Sequence, residues 1–435
     1  MKTKHSFIML LFAALVMVGC EQINEPTTEE GGSTSVDNTN IASVNKVTNF
    51  YGTIYEVIMK DGNRMYFAIK NDKEVRMGCW SYFYDGCEDE YETYAPYEYK
   101  GHLVIPEKIK LEGKEYLVTE LYDMACASYD GDVIESPNTT LLSVVIPKTI
   151  KKVRFGCFEG CTALKSVTFA MDSPIKELPS YTFRLCSSLE EIILPDNLSF
   201  IDYAEFESCT SLKTINLPET VTEIGPSAFL GCISLENINL ENVKVIGKDG
   251  KGHGAFAGCT SLKTVNLESA IKILENTFSG CTSLESVKLD NLEILGENAF
   301  DSCTSLKKIE LPSIKYLGVA PAEYHVFGGD AFVDCRSLET VVLGGSLIET
   351  NHGKLFERCD NLKDVYCHAV NPPLPVDYDD WDYRHFVGDF VLHVPATSIK
   401  AYKQTVWGEI HQLREDYDWE HYEYAGERTI VAIEE

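Results

Sequence analysis

The stretch FSGCTSLESVKL, residues 278–289, is one copy of a pattern that decides the fold of this chain. The pattern, F-x-x-C-x-x-L-x-x-[VI]-x-[LFC], occurs nine times, and most successive copies are 22 to 25 residues apart. A weaker first copy begins at Leu141. One unit of this length cannot bury its own apolar side chains, so neighbouring units must stack. The sequence therefore predicts a repeat architecture.

Each copy predicts a strand followed by a turn. The spacing Leu284-x-x-Val287-x-Leu289 alternates apolar and polar positions, which indicates a short strand with its apolar side inward. The segment AFLGC, residues 228–232, places Phe229 and Cys232 three positions apart and predicts a helical turn. We therefore expect an α/β-type solenoid, a right-handed stack of about ten turns with a cap at each end.

The full unit, IP-x-x-V-x-x-IG-x-x-AF-x-x-C-x-x-L-x-x-V, resembles the repeat of the BspA-like leucine-rich-repeat surface proteins of bacteria. The likeness covers roughly residues 95–412, with an entry segment near residues 99–121 and a closing segment that includes FVLHVP, residues 390–395, and Trp407. This resemblance implies a surface protein that binds host proteins or other bacteria.

The N-terminus predicts export and lipid anchoring. Lys2 and Lys4 precede an apolar run, residues 7–18, that is too short to span a bilayer and is typical of a signal peptide. The segment ending at Cys20 resembles a lipoprotein signal, which implies acyl chains on that cysteine. We expect a lipid-anchored protein of the outer membrane, exposed at the cell surface. An orientation toward the periplasm also fits the sequence.

Composition and spacing divide the chain into five segments. They are a signal peptide at 1–20, a flexible Glu-, Thr- and Ser-rich tether at 21–44, an N-terminal cap region at 45–120, the solenoid at 121–367 and a C-terminal cap at 368–435. The chain has 67 Asp and Glu against 38 Lys and Arg, a net charge of −29. Such a chain repels phosphate backbones, which disfavours nucleic acid as a partner.

Most of the 15 cysteines belong to the repeat, one in each copy. The repeat cysteines are Cys161, Cys186, Cys209, Cys232, Cys259, Cys281, Cys303, Cys335 and Cys359. They lack the C-x2-C spacing of metal sites, so we interpret them as small buried apolar residues and expect no metal or cofactor. Cys79 and Cys87 lie outside the repeat of an exported chain, where a disulfide and two free thiols are both compatible with the sequence.

Three groups of residues are candidates for ligand binding. An insertion at residues 318–330 carries aromatic residues of the types that dominate interfaces. Outward-facing strand positions carry amides and a phenol that suit a glycan or an extended peptide, or form a solvated face without a ligand. An aromatic and acidic segment, residues 376–386, suits sugars, a basic protein or cap packing. The candidates in the insertion are Tyr324, His325 and Phe327. Those on the strands are Asn216, Asn239, Asn266 and Tyr366, and those in the aromatic and acidic segment are Trp381 and Tyr383.

The sequence favours recognition over catalysis. It contains no H-E-x-x-H, G-x-S-x-G or Walker loop. We expect a protein of recognition or adhesion that binds proteins, glycans or other bacteria and is not an enzyme. A structural scaffold that partners another envelope protein is the alternative. A carbohydrate-active enzyme is least favoured, because it requires two carboxylates fixed about 5 to 9 Å apart in a cleft.

Overall fold

The computed structural model describes residues 40–49, 52–78, 99–122, 129–130, 133–134, 137–247, 253–318, 331–350, 355–375, 389–413 and 422–433. These residues all fall within one compact unit, residues 35–435. Several residues chosen from the sequence lie outside the described ranges, namely Cys20, Cys79, Cys87, Tyr324, His325, Phe327, Trp381 and Tyr383.

The N-terminal part forms a sheet ahead of the repeats. Its strands are β1 (Ile41–Asn49), β2 (Gly52–Met59), β3 (Arg64–Ile69), β4 (Glu74–Met77), β6 (Lys108–Leu111) and β7 (Lys114–Leu121). Strand β5 (Gly101–Val104) lies between β4 and β6 in the chain but belongs to a different sheet. Strands β1 to β4 pair antiparallel in chain order, and β4 pairs parallel with β7. Apolar residues at every second position, such as Tyr55 and Val57, are buried, as expected of a sheet with one covered face. Residues 41–44, which we assigned to the tether, lie in β1.

The remaining strands are short. In chain order they are β8 (Tyr129–Asp130), β9 (Val133–Ile134), β10 (Leu141–Ile146), β11 (Lys152–Val153), β12 (Ser166–Phe169), β13 (Glu191–Ile193), β14 (Phe200–Ile201), β15 (Thr214–Ile215), β16 (Glu223–Ile224), β17 (Asn237–Ile238), β18 (Val245–Ile246), β19 (Thr264–Asn266), β20 (Lys272–Ile273), β21 (Ser286–Lys288), β22 (Ile294–Leu295), β23 (Lys308–Leu311), β24 (Tyr316–Leu317), β25 (Thr340–Leu343), β26 (Glu349–Thr350), β27 (Asp364–Cys367), β28 (Leu374–Pro375), β29 (Val391–Val394), β30 (Glu409–Leu413), β31 (Tyr422–Glu427) and β32 (Ile430–Ala432).

The repeat places two kinds of strand in two ladders. The L-x-x-V-x-L segments form the front strands, which pair in parallel as β5-β10-β12-β13, β15-β17, β19-β21 and β23-β25-β27-β29-β32. The shorter back strands form one parallel ladder, β14-β16-β18-β20-β22-β24-β26-β28. Equivalent residues meet in register, for example Val144 with Val167 and Val167 with Ile192. The chain is therefore a stack of leucine-rich repeats whose copies align position by position.

The helical turns that we predicted are single hydrogen-bonded turns. Cys281 N–H donates to the Phe278 carbonyl at 3.0 Å, but the turn does not continue. The residue directly before each repeat cysteine has a positive φ between 55° and 73°. These residues are Gly160, Leu185, Ser208, Gly231, Gly258, Gly280, Ser302, Asp334 and Arg358. A helix needs consecutive negative φ angles, so it cannot propagate through this position.

The same residues also bond to the following repeat. Gly258 N–H donates to the Ser279 carbonyl at 2.8 Å, and Gly280 N–H donates to that of Asp301 at 2.8 Å. The turns thus form their own inter-repeat ladder, and the described residues of the repeats contain strands and turns but no helix. The structure therefore corrects the α/β assignment to a repeat fold made mostly of strands.

The core is a set of side-chain columns. The repeat phenylalanines from Phe158 to Phe356 are almost fully buried, and consecutive rings stack with centroids 5.1 to 5.9 Å apart. The repeat leucines and cysteines are buried beside them. Each ring contacts the ring before and after it, so burial in one repeat depends on both neighbours.

The C-terminal segment continues the stack beyond residue 367, where we placed the end of the solenoid. Front strand β29 pairs with β27, and β32 pairs with β29. Between them lie a 3-10 turn (Ala396–Ser398), the short helix α1 (Ile399–Tyr402), a second 3-10 turn (Val406–Gly408) and the β30-β31 hairpin. The buried Arg428 lies over Phe390, 3.7 Å from its ring centre. Among the described residues, no helix combines the length and apolar character needed to cross a membrane.

Candidate ligand-binding surface

One column of side chains points away from the core along the front strands. It contains Val145, Thr168, Ile193, Asn216, Asn239, Asn266, Lys288, Glu310, Val342, Tyr366 and His393, and we call it the outward column. Most neighbours in it are direct strand partners, as Thr168 is with Ile193 and Tyr366 with His393. The structure thus places the predicted residues Asn216, Asn239 and Asn266 in successive repeats. Tyr366 lies farther along the same column.

The amide of Asn239 is used within the fold. Its Nδ2 donates to the Leu217 carbonyl at 2.9 Å, and its Oδ1 accepts from Leu217 N–H at 2.7 Å. This amide therefore hydrogen-bonds both the backbone N–H and the backbone carbonyl of Leu217, in the preceding repeat. Asn266 accepts a longer bond, 3.3 Å, from Glu268 N–H. Of the three predicted asparagines, Asn216 is the exposed one.

The C-terminal end of the outward column carries an assembled group of three side chains. The rings of Tyr366 and His393 stack, with centroids 4.1 Å apart and planes 13° apart. His393 Nε2–H donates to Asp364 Oδ1 at 2.7 Å. All three side chains are partly exposed and are held by strands β27 and β29. An aromatic face beside a carboxylate can contact a sugar ring or a protein side chain and accept its hydrogen bonds.

The opposite end of the front face is apolar. Val104, Val145 and Ile193 are 48%, 40% and 53% exposed, on strands β5, β10 and β13 of one sheet. Exposed apolar side chains grouped on a sheet face are typical of contact surfaces. Beside them, His102 Nδ1 and Ser143 Oγ lie 2.7 Å apart.

The repeat cysteines are buried and free, and their thiols have hydrogen-bond partners that the sequence did not reveal. Each Sγ from Cys186 to Cys359 lies 3.0 to 3.2 Å from the repeat phenylalanine carbonyl of the preceding copy. Burial raises the thiol pKa of Cys232 and of Cys281 to about 12, so these two thiols stay protonated and donate. The cysteines therefore connect adjacent repeats and are not available to a ligand.

The geometry offers little for metal chemistry. Within the part of the chain that the structure describes, no three His, Cys, Asp or Glu side chains are grouped closely enough to hold a metal ion. The residues brought together at the surface are instead suited to contact and hydrogen bonding.

A family model for the BspA-type leucine-rich repeat region matches six copies, over residues 137–250 and 252–363. A leucine-rich cell surface protein from Faecalibacterium prausnitzii is 20% identical with a TM-score of 0.36, over 69% of this chain and 92% of that one. A leucine-rich repeat protein from Bacteroides ovatus is 22% identical with a TM-score of 0.27, over 69% and 92%. The pneumococcal vaccine antigen PcpA is 15% identical with a TM-score of 0.34, over 91% and 100%. No curated protein matches the chain.

Proposed function

The chain belongs to the BspA-type leucine-rich repeat family, and from that premise we propose that it is an adhesin-like recognition protein of the cell surface. Leucine-rich-repeat surface proteins have a general role in binding and adhesion. The finer proposal is that this chain binds host proteins, glycans or other bacteria through the outward column. The insertion residues Tyr324, His325 and Phe327 and the aromatic residues Trp381 and Tyr383 contribute further contacts.

The observation that carries this proposal is the group formed by Asp364, Tyr366 and His393. Its stacked rings and its 2.7 Å hydrogen bond fix the side chains before any ligand arrives. Groups that are already ordered lose less entropy on binding. Tyrosine is enriched among the residues that dominate interface energetics. Their position on paired strands keeps this geometry rigid.

We further propose that the protein is anchored by acyl chains on Cys20 and exposed on the outer membrane. The apolar leader and the polar tether support this location. Labelled fatty acid should be incorporated by the full chain and not by Cys20→Ala. External protease should remove the chain from intact cells, whereas protection until the outer membrane is opened would favour a periplasmic orientation.

Binding of the full chain to host matrix proteins, mucins and bacterial polysaccharides tests the function. Tyr366→Ser should weaken a saturable interaction at least tenfold, because it removes the aromatic face and the support of His393. Tyr316→Ser is the matched control, because Tyr316 is a partly exposed tyrosine on back strand β24, outside the outward column. A linker in place of residues 319–329 tests the insertion. The absence of saturable binding, or equal binding by Tyr366→Ser, would contradict the proposal.

A structural scaffold is the second candidate, and the apolar patch of Val104, Val145 and Ile193 favours it. Such a patch suits a lasting contact with another envelope protein more than a transient ligand. Val145→Lys would then release a copurifying envelope protein, while Tyr366→Ser would not. We propose no enzymatic activity and no cofactor, since the family is one of repeat proteins rather than enzymes.

A further inference from the structure

The turn that leads into Phe206 carries a buried acid. Glu205 is fully buried, directly before that phenylalanine. Its Oε2 accepts from Asp202 N–H at 3.0 Å, and its Oε1 has no hydrogen-bond partner among the described residues. A carboxyl group in such a place is stable when protonated, because a buried carboxylate loses its hydration without gaining a counter-ion.

The residues stacked on Glu205 carry no charge. The equivalent positions are Thr182 in the preceding turn and Ala228 in the following one. The Thr182 hydroxyl donates to the Pro179 carbonyl at 2.5 Å, so its proton is not offered to Glu205. The neighbouring Cys209 thiol is neutral, because burial raises its pKa well above the ordinary value of 9.0. These neighbours therefore cannot stabilise an ionised Glu205.

The charged groups around this turn do not compensate Glu205. Arg184, the cation of the preceding turn, binds Glu159 at 3.0 Å and Glu207 at 3.2 Å. Asp202 is a second carboxylate. Burial raises the pKa of Glu205 well above its ordinary value of 4.5, and the charge of Asp202 adds to this. Ionisation of Glu205 therefore opposes the closed structure of the turn.

The backbone of residues 202–205 is weakly held. Phe183 N–H donates to the Glu205 carbonyl at 3.0 Å, and Ala204 N–H donates to the Pro226 carbonyl at 3.1 Å. Ala204 has a φ of +51°, in the left-handed region that alanine rarely adopts. Relief of this backbone strain partly offsets the two hydrogen bonds that are lost when the segment leaves the stack.

The next residue is held more firmly. Phe206 N–H donates to the Ala228 carbonyl at 2.8 Å. The Phe206 ring is buried between those of Phe183 and Phe229, with centroids 5.5 Å and 5.3 Å away. Residues 202–205 can therefore turn outward while the Phe206 ring stays in the core.

We propose that residues 202–205 form a pH-dependent latch, which is closed in acid and opens as the pH rises. In the closed state, Glu205 is protonated and buried. In the open state, its carboxylate is hydrated and its proton has passed to water. The latch lies on the phenylalanine turn, away from the outward column, and goes beyond the proposed function.

Opening of the latch changes the adjoining surface. Tyr203 belongs to the latch, and its ring meets that of Tyr181 edge to face, with centroids 5.3 Å apart. An open latch removes Tyr203 from this contact. The side of the stack therefore presents a different surface at low and at high pH.

The direction of the pH effect follows from where the proton binds more tightly. The open state releases it near the ordinary glutamate pKa of 4.5, and the closed state holds it to a higher pH. Above pH 4.5, the equilibrium constant for opening rises about tenfold per pH unit, until the pH reaches the raised pKa of the closed state.

Residue-resolved amide hydrogen exchange of the full chain tests the latch, with each rate corrected for the intrinsic effect of pH. The Phe183 amide reports opening, because its acceptor is the Glu205 carbonyl. The Phe278 amide is the matched control, since it donates at 2.8 Å to the carbonyl of Ala299, which has the place of Glu205 in another repeat. Protection at Phe183 should fall about tenfold per pH unit over the range in which the closed latch holds the proton, while protection at Phe278 stays constant.

Glu205→Gln separates ionisation from packing, because glutamine keeps the shape of the side chain and cannot ionise. In this variant, protection at Phe183 should be independent of pH. Three results would overturn the proposal. They are constant protection at Phe183 in the unaltered chain, an equal fall at Phe278, which would mean that the whole stack opens, and a fall at Phe183 that persists in Glu205→Gln.

Discussion

Glu205 occupies a position at which other repeats have alanine, and replacing Glu205 with alanine should stabilise the protein. The residue before the buried phenylalanine is alanine in four other copies, at Ala228, Ala255, Ala299 and Ala331. Glu205 is fully buried; its Oε2 accepts from Asp202 N–H at 3.0 Å, while its Oε1 lacks a partner among the described residues. Burial raises the pKa of Glu205 well above its ordinary value of 4.5, and the nearby Asp202 carboxylate raises it further.

The pH dependence follows from this direction. The folded chain keeps the Glu205 proton to a higher pH than the unfolded chain, which releases it near the ordinary glutamate pKa of 4.5. The free energy of unfolding is therefore highest below pH 4.5 and falls as the pH rises. Above it, the folding equilibrium constant falls about tenfold per pH unit until the pH reaches the raised pKa. Over the pH range in which the folded chain still holds the proton, the unaltered chain should lose about 1.4 kcal/mol per pH unit that Glu205→Ala keeps.

Urea unfolding at pH 5, 6 and 7 measures this difference. Glu205→Gln is the matched control, because its amide carbonyl can still accept from Asp202 N–H but cannot ionise. Both variants should gain stability relative to the unaltered chain as the pH rises. A difference that stays constant across these pH values would mean that Glu205 is ionised in the folded protein, and would refute the reasoning.

Three further predictions concern the core columns. Phe256→Ala should lower the free energy of unfolding by about 3 to 5 kcal/mol, because its ring stacks on Phe229 at 5.1 Å and on Phe278 at 5.3 Å. A loss below about 1 kcal/mol in urea unfolding would contradict this stacking role. Cys281→Ala should cost about 1 to 2 kcal/mol in the same assay, since it removes the 3.2 Å bond from Sγ to the Phe256 carbonyl, and an unchanged midpoint would contradict that contribution. Burial raises the thiol pKa of Cys232 and of Cys281 to about 12, so both thiols should react with a disulfide reagent at pH 8 only after urea is added. Peptide mass mapping locates the label. Rapid labelling of either cysteine in the native protein would contradict this prediction.

The repeat could be read from the sequence because its core is periodic. Phe, Cys and Leu recur at fixed spacing, and each is buried in the structure as a column. The helical turns are not confirmed as helices, because the residue before the cysteine takes a left-handed backbone and each segment forms a single hydrogen-bonded turn. Glycine at this position in four copies, including Gly231, was a visible signal of it. Leu185 and Arg358 adopt the same conformation without that signal.

The candidate surface was only partly predictable. Tyr366 follows from the alternation of its strand, but its partners do not. Finding His393 requires the register between β27 and β29, which are separated by a segment without the repeat pattern. Alternation along a strand predicts on which face a side chain lies, but not its hydrogen-bond partners. Asn239 was therefore predicted as an amide available to a ligand. The thiol bonds were missed for a related reason, since each joins residues one whole repeat apart.

Adhesion of cells that display the full chain tests the central claim most directly. Cells would be applied to surfaces coated with matrix proteins or mucins, with the unaltered chain compared with a Tyr366→Ser, His393→Ser double variant at equal surface amounts. We predict saturable adhesion by the unaltered chain and, for the variant, adhesion near that of cells lacking the protein. Equal adhesion by the two would contradict recognition through this end of the outward column.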